Sequence, residues 1–290
     1  MTGRTGSPIE LDPVVLGPCL GTAPWRFTHH LTGEPLLSID AIGAVADASP
    51  PASVEHHLAD LPLLLPSGAA KRLPLSPREV ATGIADNGCW MIVWNIHTRS
   101  DYQLLVERCL TEARVAAQRE GGLTSPEASI IVSSPGAVVP IHLDRHHNLL
   151  LQIRGTKQVM IGRYRDPEVE RRQIAQRFGE DAINATCLPD EQATFELGPG
   201  DGLYLPPYAF HSVIGGSEPS VSLACGFRTL RTERTEMVYE CNAALRRLGL
   251  QPRPPGRSDT GDQLKVQAFR LDRQLRRRRK QLRQLLARWA

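Results

Sequence analysis

The sequence predicts a mainly β chain with flanking helices, and two textures carry that expectation. Beyond Ala128 the apolar stretches are short and separated by Gly/Pro turns: Ser129–Ser133, His142–Arg154, Lys157–Tyr164, Thr194–Leu197, Gly202–Leu205 and Val221–Phe227. Many short strands of this kind suit a sandwich or barrel better than a βαβ sheet. Before and after this block, leucine, valine and alanine recur at helical spacing. Helices are expected over Leu36–Ala48 (stopped by Ser49-Pro50-Pro51), from Ser76-Pro77-Arg78-Glu79 to about Asp86, over Tyr102–Gln118, over Asp166–Phe178 as an interruption, and over Thr232–Leu248. Serine as cap with proline at the first helical position marks the second of these. Trp90–Ile96 is apolar, β-branched and aromatic, and reads as a buried strand. Pro62–Pro77 reads as irregular. The organisation that follows is an arm over 1–20, a mixed helix/strand region over 21–125, a β core over 126–230 and a basic helical region over 231–290.

Composition narrows the class. At 290 residues, 41% of them hydrophobic, the chain has enough apolar mass for a full core. No apolar run is long enough to cross a bilayer, and Met1–Pro13 lacks the pattern of a secretory leader. The six cysteines, Cys19, Cys89, Cys109, Cys187, Cys225 and Cys241, include no CxxC pair. That spacing disfavours a disulfide framework or a structural zinc site and suits a reducing, cytoplasmic setting.

The segment Pro140-Ile141-His142-Leu143-Asp144 carries the chemistry. Residues two apart on a strand share a face, so His142 and Asp144 would project together into a barrel. One imidazole and one carboxylate are two corners of a 2-His-1-carboxylate site, which suits Fe(II) because positions stay open for other ligands. Gly200–His211 offers the third corner: a turn at Gly200-Asp201, a strand, a stop at Pro206-Pro207, then His211. Of the nine histidines, His29, His30, His56, His57 and His97 read as surface or capping residues. His146 shares the parity of His142 and Asp144 and is expected farther along, near a substrate mouth.

With these residues in view, His142–Val159 (HLDRHHNLLLQIRGTKQV) and Glu196–Val213 (ELGPGDGLYLPPYAFHSV) resemble the cupin-like, jumonji-C branch of the 2-oxoglutarate oxygenases. That branch includes the asparaginyl hydroxylase of hypoxia-inducible factor and bacterial jumonji-type proteins. Glycine spacing agrees, with Gly136 six residues before His142 and Gly200 six before Pro206. The resemblance implies a double-stranded β-helix (a jelly-roll) and His142, Asp144 and His211 as metal ligands and catalytic centre. It also implies Fe(II), 2-oxoglutarate and O2 as cofactors. Lys157, returned to the interior by a hairpin at Gly155-Thr156, would pair with the distal carboxylate of 2-oxoglutarate. Asn148 would lie near its keto-acid end, and Gln152 would hydrogen-bond behind the site.

Two positions depart from the relatives. Val139 stands where a threonine contacts the cosubstrate, so a hydroxyl from Tyr204 or Ser133 is expected to substitute. Gly226 stands where an asparagine is common, which predicts a roomier site or a cosubstrate held less tightly. Arg145, His146, Arg163, Tyr208 and the Asp166–Phe178 insertion are expected around the mouth. The resemblance favours hydroxylation of a peptide or protein side chain. A small molecule or biosynthetic amino acid, and a non-catalytic binding module, are the alternatives.

Charge is uneven. From Gln263 to Ala290 ten basic residues face Asp272 alone, giving +9, so the net +3 leaves −6 on residues 1–262. Leu264, Ala268, Leu271, Leu275, Leu282, Leu285 and Trp289 follow steps of three and four, broken by Arg278. Such a seam suits a homodimer through the C-terminal helix or docking on the chain's own core. Nucleic-acid binding by Arg276–Lys280 is a further, less favoured expectation.

Overall fold

The computed structural model describes residues 7–179 and 184–286. The first part of the chain alternates strands and helices: β1 (Ile9–Glu10), α1 (Pro13–Cys19), β2 (Trp25–His29), α2 (Ile39–Asp47), β3 (Val54–Leu58), α3 (Pro77–Thr82), β4 (Cys89–Val93), α4 (Ser100–Cys109) and α5 (Thr111–Ala116). The core follows as β5 (Leu123–Ser133), β6 (Val138–Leu143), β7 (His147–Arg154), β8 (Lys157–Arg163), α6 (Pro167–Gly179), β9 (Glu191–Leu197), β10 (Asp201–Leu205), β11 (Phe210–Gly215) and β12 (Ser220–Thr229). Helices α7 (Leu230–Arg247) and α8 (Asp259–Leu286) complete it.

Two antiparallel sheets face one another. The larger runs β1-β2-β10-β7-β12-β5-β4-β3 and the smaller β6-β11-β8-β9. Leu150, Leu203, Leu205 and Ala224 of the larger sheet meet Val159, Ile161 and Leu197 of the smaller between them. Central β7 is buried on both faces, and its sequence is accordingly a nearly continuous apolar run. Its other face, with Leu149, Leu151 and Ile153, joins the helices α1–α5 in the largest apolar cluster. The expected jelly-roll is the fold observed.

Several local expectations hold. Ser76 accepts from the Glu79 amide at 3.3 Å while Glu79 Oε2 accepts from the Ser76 amide at 2.8 Å, a reciprocal cap that starts α3. Gly155, at φ +68°, makes the turn between β7 and β8; its Cα lies so close to Pro219 that a Cβ would meet the Pro219 carbonyl at 2.5 Å.

Others are corrected. The segment expected to be an arm contributes β1 and α1, and Ile9, Leu11 and Leu16 are buried. The larger sheet is continuous from β1–β4 into the core, so the boundary near residue 125 is not a structural division. His142–Arg154 is two strands, broken at Asp144, Arg145 and His146. His29, His56 and His57 are buried rather than superficial. His29 bonds the Gln152 carbonyl at 3.0 Å through Nε2 and so ties β2 to β7.

Candidate metal centre

His142 on β6 and His211 on β11 are direct partners across the antiparallel pair, so their rings lie side by side with centroids 4.1 Å apart. Asp144 follows immediately where β6 ends. The Tyr208 amide donates to the Asp144 carbonyl at 2.7 Å, pinning this corner to the turn before β11. His142, Asp144 and His211 thereby each offer a ligand atom within 4.8 Å of the others. Each imidazole is oriented by its own strand: Nδ1 of His142 lies 2.8 Å from the Pro140 carbonyl and Nδ1 of His211 2.9 Å from the Ala209 carbonyl. A carbonyl only accepts, so both Nδ1 atoms carry a proton, and in a neutral ring so oriented the lone pair lies on Nε2. This is the tautomer a metal ligand needs.

The electrostatics fit the same use. Burial opposes ionisation of Asp144, but the imidazoles of His146, His211 and His142 and the Asn148 amide outweigh it and hold the carboxyl at about 2. Burial, aided by His142, pulls His211 down to about 4. At neutral pH the group therefore presents one carboxylate oxygen and a neutral His211 nitrogen beside His142. Two nitrogens and one oxygen, converging with an open side, suit a divalent first-row metal such as iron.

A chamber of about 120 Å³ opens from this cluster into the space between the sheets. Lys157, at the start of β8, lines it and is only 4% exposed. It has no hydrogen bond or ion pair among the described residues, and burial lowers its pKa to about 8. A buried, unpaired ammonium is costly without an anion. Asn148 lines the same chamber; its Nδ2 donates to Asp144 Oδ2 at 3.4 Å, while its Oδ1 is buried without a partner. These features fit a dicarboxylate lying between Lys157 and the ligand triad. Behind them Gln152 donates to the Arg154 and Gly155 carbonyls and to Ser220, and accepts from Ser222, all within 3.0 Å. That network closes the barrel floor.

Tyr204 is not brought to the site. On β10, Leu203 and Leu205 point inward, whereas Tyr204 points to the opposite face; its hydroxyl meets the Gly21 amide at 2.7 Å and His147 Nδ1 at 2.8 Å. Ser129, rather than Ser133, lines the chamber, as does Val139. Arg163 is exposed at the end of β8 and lines neither cavity of the site. Tyr208 packs against Phe178 and Tyr239 in the helical layer and does not line the mouth either.

Gly226 does not make the site roomier. A Cβ there would meet Glu127 Cγ and His146 Cδ2, each at 2.8 Å. The space is filled by His146, whose Nδ1 lies 2.7 Å from Glu127 Oε1 and whose Nε2 lies 4.0 Å from Asp144 Oδ2. Burial disfavours protonated His146, but Asp144 and Glu127 outweigh it and raise its pKa. Glu127 escaped notice in the sequence; a charged residue on the inward parity of β5, two before Ser129, was its only signal.

Outside the chamber a second cavity of about 380 Å³ reaches the surface. Trp90, Trp94, Leu61 and Leu65 form its apolar wall, and His146 stands between the two spaces. Arg145 lines this mouth, but its guanidinium is held by Glu236 at 3.1 Å and Glu240 at 2.9 Å and stacks on Phe178 at 4.3 Å. It therefore anchors α7 and α6 to the metal-bearing corner.

Comparison with known proteins agrees with this geometry. Residues 108–235 match the family model of the JmjC domain. Among solved structures, the Escherichia coli protein ycfD aligns at 18% identity and TM-score 0.54, over 91% of this chain and 68% of the other. A structure of YcfD described as a ribosomal oxygenase in complex with cobalt and 2-oxoglutarate aligns at 18% identity and TM-score 0.51, over 91% and 67%. One with cobalt and succinic acid aligns at 19% and 0.50, over 91% and 67%. At such identity the likeness establishes a shared fold. No curated protein matches the sequence.

Proposed function

We propose that the chain is an Fe(II)- and 2-oxoglutarate-dependent oxygenase that hydroxylates a C–H bond on a peptide or protein side chain. The observation that carries this reading is the pairing, across one chamber of about 120 Å³, of a His-Asp-His triad with a buried lysine that lacks an anion. The JmjC match over residues 108–235 supports it. So do the related structures, whose descriptions name cobalt with 2-oxoglutarate or succinate and a ribosomal oxygenase.

In this reading the Nε2 atoms of His142 and His211 and a carboxylate oxygen of Asp144 hold the iron. When bound, the iron and 2-oxoglutarate would supply the oxidising power, O2 giving one oxygen atom to the succinate that leaves with carbon dioxide and the other to the substrate. Lys157 binds the distal carboxylate and fixes the depth at which the cosubstrate lies. Asn148 holds Asp144 from one side through its Nδ2. Leu150, Leu205 and Val213 keep water from the reacting centre. The wider cavity, walled by Trp90 and Trp94, admits the substrate past His146. Its breadth at the surface favours a side chain carried on a polypeptide.

We read the leucine seam of α8 as a homodimer contact, because that seam faces away from α7 (below). Six free thiols suit a cytoplasmic setting, and no helix among the described residues is long and apolar enough to cross a membrane. The decisive test is succinate release with Fe(II) and 2-oxoglutarate by the purified chain, abolished in Asp144→Ala. A protein that binds neither the metal nor the cosubstrate would refute the proposal.

A further inference from the structure

Helix α8 has two unlike halves. Its first turns dock: Asp262 and Val266 are buried, Lys265 donates to the Arg253 carbonyl at 2.7 Å, and Phe269 and Arg273 line a cavity of about 370 Å³ with Glu233, Glu236, Met237 and Glu240 of α7. From Arg270 to Leu282 every residue is exposed. At 100° per residue, the docked positions centre on one side of the helix and Leu264, Leu271, Leu275 and Leu282 on the other. The seam therefore does not pack on the chain's own core. Trp289 lies outside the described residues.

Beyond the docked turns, most of the basic side chains continue along the side of the helix that docks, where it is exposed, while Arg278 falls on the leucine side. From Arg279 through Arg276, Lys280 and Arg273 to Arg277 and Arg270 they cover about 180° of the circumference. Residues 270–282 hold seven cations (Arg270, Arg273, Arg276–Arg279 and Lys280) and one acid, Asp272, for a net +6. Asp272 is taken by Arg276 at 2.7 Å, Arg273 shares a cavity wall with Glu233, Glu236 and Glu240, and the other five cations form no ion pair among the described residues. A cation-rich rod of this kind, joined to a body of net −6, is built to meet a polyanion on the rod alone. Guanidinium forks match phosphate oxygens, and no apolar residue interrupts the arc that carries them. An acidic protein surface would meet one side of the arc. A flexible phosphodiester strand can follow it around the helix.

We infer that the exposed part of α8 is an RNA-binding rod that grips the phosphate backbone without reading sequence. A second copy of the chain on the leucine seam would leave this arc free, so the two contacts are compatible.

The test uses the full chain and a short, labelled single-stranded RNA of mixed sequence, followed by fluorescence anisotropy against salt. With four to five phosphates engaged, log K should fall with log salt at a slope of about −3, or about 60-fold in affinity for a fourfold rise in salt. Replacing Arg273, Arg276, Arg277, Arg279 and Lys280 together by glutamine should flatten that slope and remove binding at physiological salt. Turnover of 2-oxoglutarate and helical circular dichroism should be unchanged. Changing the four arginines to lysine instead should keep the slope. Absence of RNA binding at low salt would overturn the inference. So would a glutamine variant that binds normally, a lysine variant that loses the slope, or duplex DNA competing as well as RNA.

Discussion

Lys157→Met separates what the buried ammonium costs the fold from what it contributes to binding. Burial lowers its pKa from the ordinary 10.5 to about 8. At 1.36 kcal/mol per pKa unit, a fall of about 2.5 corresponds to about 3 kcal/mol. The sign follows from where the proton sits. Below pH 8 both folded and unfolded chains hold it, and the full cost of burying the charge is present. Between pH 8 and 10.5 the unfolded chain holds the proton while the folded one releases it, so stability rises with pH through that window. Methionine fills similar volume without charge. The ligand-free variant should therefore be more stable than wild type at pH 7, by up to about 3 kcal/mol, and should lack the alkaline rise. Its affinity for 2-oxoglutarate should move the other way. Removing one partner of a buried ion pair costs about 3–5 kcal/mol, or roughly 10²–10⁴-fold in Kd. Urea midpoints at pH 7 and pH 10, with calorimetric titration of 2-oxoglutarate, measure both halves. A variant less stable at pH 7 that still binds 2-oxoglutarate as tightly as wild type would refute the assignment.

Further outcomes follow from single contacts. Gly155→Ala places a methyl group 2.5 Å from the Pro219 carbonyl in a left-handed turn, and should lower unfolding free energy by about 2–4 kcal/mol in a denaturant titration. An unchanged midpoint would show that the β7–β8 turn can relax. Gly226→Asn should displace His146 and Glu127, reducing substrate hydroxylation much more than metal affinity measured by competition with a chelating dye. Asp144→Ala removes the carboxylate of the His142–Asp144–His211 group, and metal affinity should fall at least about 100-fold. Leu271→Glu with Leu275→Glu puts acids into the exposed seam and should leave a monomer by light scattering; a wild-type chain already monomeric at high concentration would remove the dimer.

The triad was legible because its pattern is short-ranged. His142 and Asp144 stand two apart at a strand end, and the turn-strand-Pro-Pro signature places His211 on the pairing strand. Lys157 was implied by the family resemblance, and the hairpin at Gly155 agrees with its inward parity. Residues judged one at a time were less legible. Tyr204 fails on parity alone: with Leu203 and Leu205 inward, the residue between them must face out. Tyr208 takes a positive φ of 65°, which turns its ring from the mouth into the helical layer, and nothing in the local sequence announces that. His29 and His56 are buried because β2 and β3 extend the larger sheet, and strand addition over such distances leaves no local trace.

Gly226 shows why departures from a family pattern cannot be read singly. Alone, the missing side chain predicts empty volume beside the ligands. In the folded chain β12 places Gly226 opposite Asn148 on β7 and Glu127 on β5, and the vacated volume holds an imidazole from the turn between β6 and β7. Where the family resemblance implies an amide side chain at 226, this chain has a histidine–carboxylate pair delivered from two other elements. Glu127 holds His146 at 2.7 Å, and His146 in turn stands 4.0 Å from Asp144 Oδ2. Glycine at 226 and histidine at 146 are therefore one structural decision. Restoring bulk at 226 without shortening 146 overfills the space, whereas His146→Ala together with Gly226→Asn should recover stability that Gly226→Asn alone loses. Strict additivity of the two in a double-mutant cycle would mean that the volumes do not compete.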